Sequence, residues 1–465
     1  MPIQTNRFKI DNDINNKISN LSLKYNHNSP GYYSYPTVVD FFDLSKADSN
    51  IPDLLIEASG VDLSIYIHIP FCQSVCYYCG CNKEITQDKG KAVRYIDNIT
   101  KEIQMYKELM KGREVESIHL GGGSPNFLTE CLIVRLITSL HQNFNIKKSA
   151  KFSIEVDPRT TTSEQIILLS KCGFKRISFG VQDFHENVQN IINRVQSREQ
   201  ILKLIKISNK YGFESVNIDL IYGLPLQTVS SFQENVELAV SMDISRVTIT
   251  KYSHLPKYFP SQRKLDKYPF PSELERLLMF YNSKELLKNY GFALVGLDHF
   301  VKERDPLFRA EKESKLVRNF MGYDVAHSSD LLGLGVSAIS NFNGSYYQNA
   351  KNKTDYYDCI DKDTFPISKL CTANAENKRI WSIIHGLLCY KFIDLKEVSH
   401  GGNYDDIYKI ELEVLYEFQT DGLVNITDGV INVTELGSLF LRNICSVFDR
   451  RIDDEKYYER FSTGI

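Results

Sequence analysis

The chain has 465 residues, 42% of them hydrophobic and 24% charged, with a formal net charge of −3. This composition excludes a disordered chain, and the slight acidic balance gives no whole-chain attraction for nucleic acid. No apolar run reaches the roughly 20 residues needed to span a bilayer, and Met1–Lys9 lacks the apolar core of a secretory signal, so neither a membrane protein nor an exported one is expected. Ten cysteines, four of them packed into Cys72–Cys81, do not look like a disulfide framework; a metal or redox site in a reducing cytosol fits them better.

Taken in order, residues 1–57 form a polar arm. It carries an extended aromatic run, Tyr32-Tyr33-Ser34-Tyr35-Pro36-Thr37, read either as packing on the main domain or as a flap over its site. Residues 58–354 alternate short apolar runs with helical periodicity. Strands are expected at Ser64–Ile69, Val115–Leu120, Lys151–Val156, Arg176–Val181, Val216–Tyr222 and Arg246–Tyr252, with a seventh at Phe292–Leu297. Helices are expected at Tyr95–Met110, Thr129–Asn143, Ser163–Lys171, Arg198–Tyr211, Val229–Met242 and Ser272–Tyr290. This α/β alternation predicts a mostly parallel sheet buried on both faces, and six repeats point to an open or partial (β/α)6 barrel. Function then belongs at the C-terminal strand ends. Residues 355–465 read as a mostly helical module (Glu376–Tyr390, Asp405–Gln419, Glu435–Phe448) with a hairpin around Asp428-Gly429, a winged-helix-like order. Its acidic residues, Glu411, Glu413, Glu417, Asp421 and Asp428, argue against DNA and for a structural or lid role.

Three features carry chemistry. Cys72, Cys76 and Cys79, spaced Cys-x3-Cys-x2-Cys just after the first strand, put three soft thiolates within reach of one small object. Structural zinc wants four ligands, and Cys81 follows too closely for easy tetrahedral closure. Three thiolates on a [4Fe-4S] cluster instead leave one iron open to an outside molecule. Gly121-Gly122-Gly123-Ser124-Pro125, after the second strand, lets backbone approach a cofactor closely. Glu155 at the end of the third strand, with Gln182, Arg194 and Asp219 at or just past the fourth and fifth, places polar groups where a barrel mouth would gather them. The remaining cysteines (131, 172, 359, 371, 389 and 445) read as small core residues.

The cysteine loop and glycine turn resemble those of radical S-adenosylmethionine (SAM) enzymes. Further stretches extend the likeness from Tyr33 to the C-terminus: Tyr66–Cys72, Gly80-Cys-Asn-Lys83, Ile154-Glu-Val-Asp-Pro-Arg159, Gly180–Phe184, Asn217–Pro225, Gln262-Arg-Lys264, Arg318-Asn-Phe320, Leu331–Ser340 and Arg442–Cys445. They are similar to the oxygen-independent coproporphyrinogen III oxidase family of haem biosynthesis. The resemblance implies a radical-SAM-type barrel with Cys72, Cys76 and Cys79 on the cluster and Cys81 free. It implies one SAM on the open iron, contacted by Tyr66, Gly122, Glu155 and Ile339. A second SAM would lie near Tyr78, Gly123, Ser124, Gln182, Arg194, Asp219 and Ser253. The implied reaction is oxidative decarboxylation of two propionates of coproporphyrinogen III to vinyl groups, giving protoporphyrinogen IX. A 5′-deoxyadenosyl radical would start it, in a cytoplasmic, monomeric enzyme fed by a flavodoxin- or ferredoxin-type electron donor. Alternatives within the superfamily are a haem-delivery protein and a methyltransferase acting on a specialised metabolite.

The substrate's carboxylates need cations, for which Arg263, Lys264 and Arg318 are the candidates. The chain departs from the family pattern at Gly31, where arginine is usual, at Tyr78 for phenylalanine, at Ser124 for threonine, at Val195 for an acid, and at Lys251 and Ser253 for asparagine and alanine. These changes bear on the second SAM site and the substrate rather than on the cluster.

Overall fold

The computed structural model describes residues 12–44, 61–325, 330–450, 457 and 459–464. The far end of the expected arm, up to residue 57, lies outside the described residues. Six βα units follow one another: β1 Leu63–Ile69 and α1 Gly90–Tyr106, β2 Glu114–Gly122 and α2 Glu130–Asn143, β3 Asn145–Val156 and α3 Ser163–Lys171, β4 Phe174–Gln182 and α4 Arg198–Lys210, β5 Ser215–Tyr222 and α5 Val229–Val240, β6 Arg246–Lys251 and α6 Glu273–Asn289. The six strands lie side by side in chain order, all parallel. Their sequences explain the arrangement. In β1, Leu63, Ile65, Ile67 and Ile69 are fully buried, and each aliphatic side chain so buried contributes about 1.5–3 kcal/mol. Helix α1 turns Ala92, Tyr95, Ile96, Ile99, Ile103 and Tyr106 inward, at the three- and four-residue spacing of one helical face. Capping boxes start α3 (Thr162 with Gln165) and α6 (Ser272 with Glu275).

The sheet then departs from a simple six-unit repeat at both edges. The segment expected as a seventh strand forms β7, Phe292–Val295, but it pairs antiparallel with β8, His299–Lys302, and β8 rather than β7 lies against β6. The turn between the two strands is too short for a right-handed crossover, so a hairpin is the available connection. On the other side β9, Asp330–Leu334, runs parallel to β1 and is a seventh parallel strand. Beyond it come β10 Ile339–Phe342, β11 Ser345–Asn349, β12 Ile367–Cys371 and the short strand Phe42–Asp43, all antiparallel. The thirteen-stranded order ends on different strands, so the barrel is partial and open. Because β12 belongs to this sheet, the boundary drawn at residue 354 falls inside it.

The C-terminal module runs helix Ala375–Tyr390, strand Phe392–Asp394, short helices Leu395–Val398 and Tyr404–Ile407, helix Lys409–Thr420, then the hairpin Val424–Thr427 and Val430–Val433. Strand 392–394 pairs with the hairpin, completing the winged-helix order. Asp428 and Gly429 both take positive φ (51° and 79°), as the tight Asp-Gly turn requires. The last expected helix is split into a 3-10 turn, Gly437–Phe440, and a helix, Leu441–Ser446. No helix among the described residues is long and apolar enough to cross a membrane.

Candidate active site

The site grows from the ends of β1, β2 and β3. Residue 69 of β1 pairs with residue 122 of β2, so the cysteine loop leaves the sheet beside the glycine turn. A side chain at Gly123 would put its Cβ 2.9 Å from the Ile69 and Pro70 carbonyl oxygens. These are backbone atoms that cannot yield, and Gly123 N–H donates to Ile69 O at 2.8 Å. Gly122, at φ 111°, lies against the His68 ring. The turn therefore needs glycine for its own packing, whatever it binds.

Among the described residues no three His, Cys, Asp or Glu side chains converge on the position of a single metal ion. The three thiols share an electrostatic neighbourhood instead, since Cys72 feels the charges of both Cys79 and Cys76. Burial pushes the Cys72 thiol up to about 11, opposed by the Ser124 hydroxyl, which donates to its Sγ at 3.6 Å. Cys79 is pulled down to about 6, first by its hydrogen bond with Cys81 and then by Lys83, against burial. Cys76 Sγ accepts from Arg194 Nη1 at 3.2 Å and Arg159 Nη2 at 3.4 Å. Two guanidiniums thus point N–H groups at one sulfur of the triplet. This donor set fits a cluster held by three cysteines, with Cys81 exposed and occupied in supporting Cys79.

Next to the loop is a polar ladder on the inward positions of β1, β2 and β3. His68 Nε2–H donates to the Asn82 carbonyl (2.9 Å), so Nδ1 accepts from the Tyr66 hydroxyl (3.0 Å). Tyr66 stacks on His119 with ring centroids 5.9 Å apart. His119 Nε2 donates to Glu155 Oε1 at 3.3 Å. Glu155 lies at the end of β3, half-exposed to the cavity. Burial alone would raise its pKa, but the His119 hydrogen bond and the Gly122 N–H hold the carboxyl below the ordinary carboxylate range. Tyr66, Gly122 and Glu155 thus stand together, and His68 and His119 join them. Nothing in the sequence analysis singled out the two histidines, although each sits at an apolar-strand position where a polar ring needs a reason.

Glu155, Gln182 and Asp219 line one cavity of about 400 Å³ inside the barrel. Gln182 sits at an irregularity between β4 and β5 with φ 73°, which re-aims the end of β4. Asp219 accepts from Ser178 Oγ (2.5 Å) and Asn217 Nδ2 (2.6 Å), and burial raises it to about 6. Arg194 is buried between Gly180 O, Asp157 and Cys76, beside Tyr78. Ser253 lies apart from these, in an adjoining cavity of about 180 Å³. There its hydroxyl meets Ser462 at 2.9 Å, and Lys251 Nζ donates to the Thr463 carbonyl at 2.9 Å. The departures at 251 and 253 therefore hold the C-terminal tail, which the arm grips from the other side through Ser29 N–H and His27 O. Ile339 opens β10 and packs by Gly333, whose added Cβ would meet the Ile339 carbonyl at 2.5 Å; it lines neither cavity. Arg263 and Lys264 are exposed on the 3-10 turn Pro260–Leu265, Lys264 over the Tyr77 ring, and line neither cavity; Arg318 lines both.

A parallel βα barrel with a three-cysteine loop after its first strand and a glycine turn after its second defines a radical SAM protein, and the profile described as "Radical SAM superfamily" matches residues 66–239. The chain is 37% identical over 447 residues to the oxygen-independent coproporphyrinogen III oxidase of Salmonella typhimurium, covering 96% of this chain and 98% of that one. It is 36% identical to the Escherichia coli K12 protein of the same name over the same shares. The solved structure of the Escherichia coli coproporphyrinogen III oxidase, described as a radical SAM enzyme, superposes with a TM-score of 0.87 over 90% of this chain and 97% of that one. The chain belongs to the oxygen-independent coproporphyrinogen III oxidase family. Relatives that share its full length do not favour the haem-delivery or methyltransferase readings.

Proposed function

We propose that this chain oxidatively decarboxylates two propionates of coproporphyrinogen III to vinyl groups, giving protoporphyrinogen IX. The observation that carries the reading is the family membership over the whole length, barrel and C-terminal module together. Each propionate, –CH2–CH2–COO⁻, becomes –CH=CH2 with loss of CO2, one hydrogen atom and one electron. Removing hydrogen from an unactivated carbon is beyond any side chain. When bound, a [4Fe-4S] cluster with SAM supplies a reducing electron and a carbon-centred radical for that step.

The protein's own part is placement. Cys72, Cys76 and Cys79 would hold the cluster, with Arg159 and Arg194 balancing the charge at Cys76. Ionised Glu155, steadied by His119, is suited to an ammonium or ribose hydroxyl of SAM, and Tyr66 and the Gly122 backbone stand beside it. Asp219, Gln182, Arg194, Tyr78, Gly123, Ser124 and Ser253 are assigned to a second SAM, and Ile339 to the first. The enzyme works as a cytoplasmic monomer with a flavodoxin- or ferredoxin-type donor and no nucleic-acid partner.

The test is anaerobic turnover of coproporphyrinogen III with mass spectrometry of the porphyrin product. The expected result is a divinyl product with two CO2 released per macrocycle. Methyl transfer from labelled SAM, or stoichiometric haem binding without turnover, would replace this reading.

A further inference from the structure

Arg318 heads the large, fully buried side chains of the described residues. Its neighbours treat it unlike any other buried arginine of the barrel. Arg113, Arg176, Arg194 and Arg246 each reach a carboxylate, at 2.7, 2.9, 3.4 and 2.5 Å respectively. None of the Arg318 side-chain nitrogens, Nε, Nη1 or Nη2, has a hydrogen-bond partner. The nearest acid, Asp298, is 3.7 Å from Nη1, and its Oδ1 is already engaged by His299 Nδ1 at 2.7 Å. The guanidinium carbon lies over the Tyr33 and Tyr323 rings, 4.7 Å from each centroid. A buried cation without hydrogen bonds is costly, and ring faces compensate only part of that cost. A protein keeps such a group where a partner arrives later.

Arg318 stands where the two cavities meet, lining both together with Tyr33, Thr250 and Asp298. Of the two rings, Tyr323 is 5% exposed and Tyr33 is 43% exposed, so the arm's tyrosine is the wall that a ligand can displace. Arg442 fastens that arm from the same cavity by donating to the Ser29 and Pro30 carbonyls, and is thereby occupied.

We infer that Arg318 anchors a carboxylate of the macrocycle, and that this carboxylate is a propionate the reaction leaves intact. The inference rests on the proposed function above. A guanidinium offers paired donors matched to a carboxylate. A carboxylate that departs as CO2 surrenders its charge on the way. A cation paired with it would hold the substrate more tightly than the transition state and slow the step. A strong, permanent cation therefore belongs on a carboxylate that stays. The aminoacyl carboxylate of SAM has the same chemistry, so the test separates the two sources.

Oxidised coproporphyrin III, fluorescent and unreactive, is titrated into reconstituted enzyme, and SAM is measured separately by equilibrium dialysis. Arg318→Gln is expected to weaken porphyrin binding about 10- to 100-fold, the loss of one hydrogen-bonded ionic contact. SAM affinity stays as in the wild type, and Arg318→Lys recovers part of the porphyrin affinity. In turnover, KM rises while kcat holds. Without ligand, Arg318→Gln and Arg318→Met fold and melt close to the wild type, because the side chain gives up no hydrogen bond and only a 3.7 Å ion pair with Asp298. A structural arginine gives the opposite: lower melting, or no folded protein in either variant, with porphyrin affinity unmoved in whatever folds. That result overturns the inference, as does a loss confined to SAM, or a fall in kcat at unchanged KM. Wild-type turnover is run alongside. If the wild type makes vinyl product and Arg318→Gln binds porphyrin normally, only the inference falls; if the wild type makes none, the proposed function falls.

Discussion

Replacing Glu155 by glutamine keeps the side chain's shape at the end of β3 and removes its charge. The carboxylate accepts from His119 Nε2 at 3.3 Å and from the Gly122 N–H, and it is ionised at neutral pH because those donors hold its pKa down against burial. If it also accepts from SAM, the variant loses a hydrogen bond to a charged group, worth about 1.5–3 kcal/mol. At about 1.4 kcal/mol per decade, that is a SAM dissociation constant roughly 10- to 150-fold higher. The cost to the fold is far smaller. Glu155's side chain is 46% exposed to the cavity, and its ion pair with His119 is of the kind that contributes about 1 kcal/mol or less. Anaerobic equilibrium binding of SAM to the reconstituted variant, with a melting curve on the same sample, measures both. A dissociation constant within twofold of the wild type would show that Glu155 does not touch SAM and would refute this part of the site. A large fall in melting temperature would show that the carboxylate is chiefly structural.

Alanine at Cys72, Cys76 or Cys79 is expected to abolish the cluster's visible absorption, whereas Cys81→Ala keeps it; loss of iron in Cys81→Ala would make it a ligand. Asp219→Asn is expected to reduce bound SAM from two equivalents to one while leaving the first site, and stoichiometry by dialysis decides it; two equivalents in the variant would remove Asp219 from the second site. Glu102, buried on α1 and accepting from Gly335 N–H, Asn349 and Tyr356, is raised by burial to about 7. A carboxyl raised in the folded state contributes stability that is full below its unfolded pKa, 4.5, and lost as pH rises through about 7, roughly 3 kcal/mol in all. Urea unfolding from pH 5 to 8 should therefore show a decline in the wild type that Glu102→Gln lacks; parallel curves would contradict the assignment.

Much of the barrel was legible because burial writes itself into short apolar runs. The run Ile65, Ile67, Ile69 has no other reason to exist, and six such runs separated by helical periodicity admit few topologies. What escaped depends on partners distant in sequence. Phe292–Val295 looks like every other strand, and only the nearby His299–Lys302 makes it half of a hairpin. Asp330–Leu334 reads as a motif; that it runs parallel to β1 is decided by contacts nearly 270 residues away in sequence. In the site, Cys72, Cys76 and Cys79 announce themselves by spacing. His68 and His119 do not, because a histidine in a strand is explained only once Tyr66 and Glu155 stand beside it. Lys251 and Ser253 looked like departures from a pattern. The C-terminal tail supplies their partners, Thr463 and Ser462. Arg263, Lys264 and Arg318 were indistinguishable as cations, and burial alone separates the third from the first two.

Mössbauer spectroscopy of the ⁵⁷Fe-reconstituted protein, before and after adding SAM, tests the central claim most directly. Three thiolates leaving one iron open predict a four-iron signal in which a single iron site shifts when SAM is added. A protein that assembles no cluster, or a cluster whose irons are all indifferent to SAM, would contradict the account.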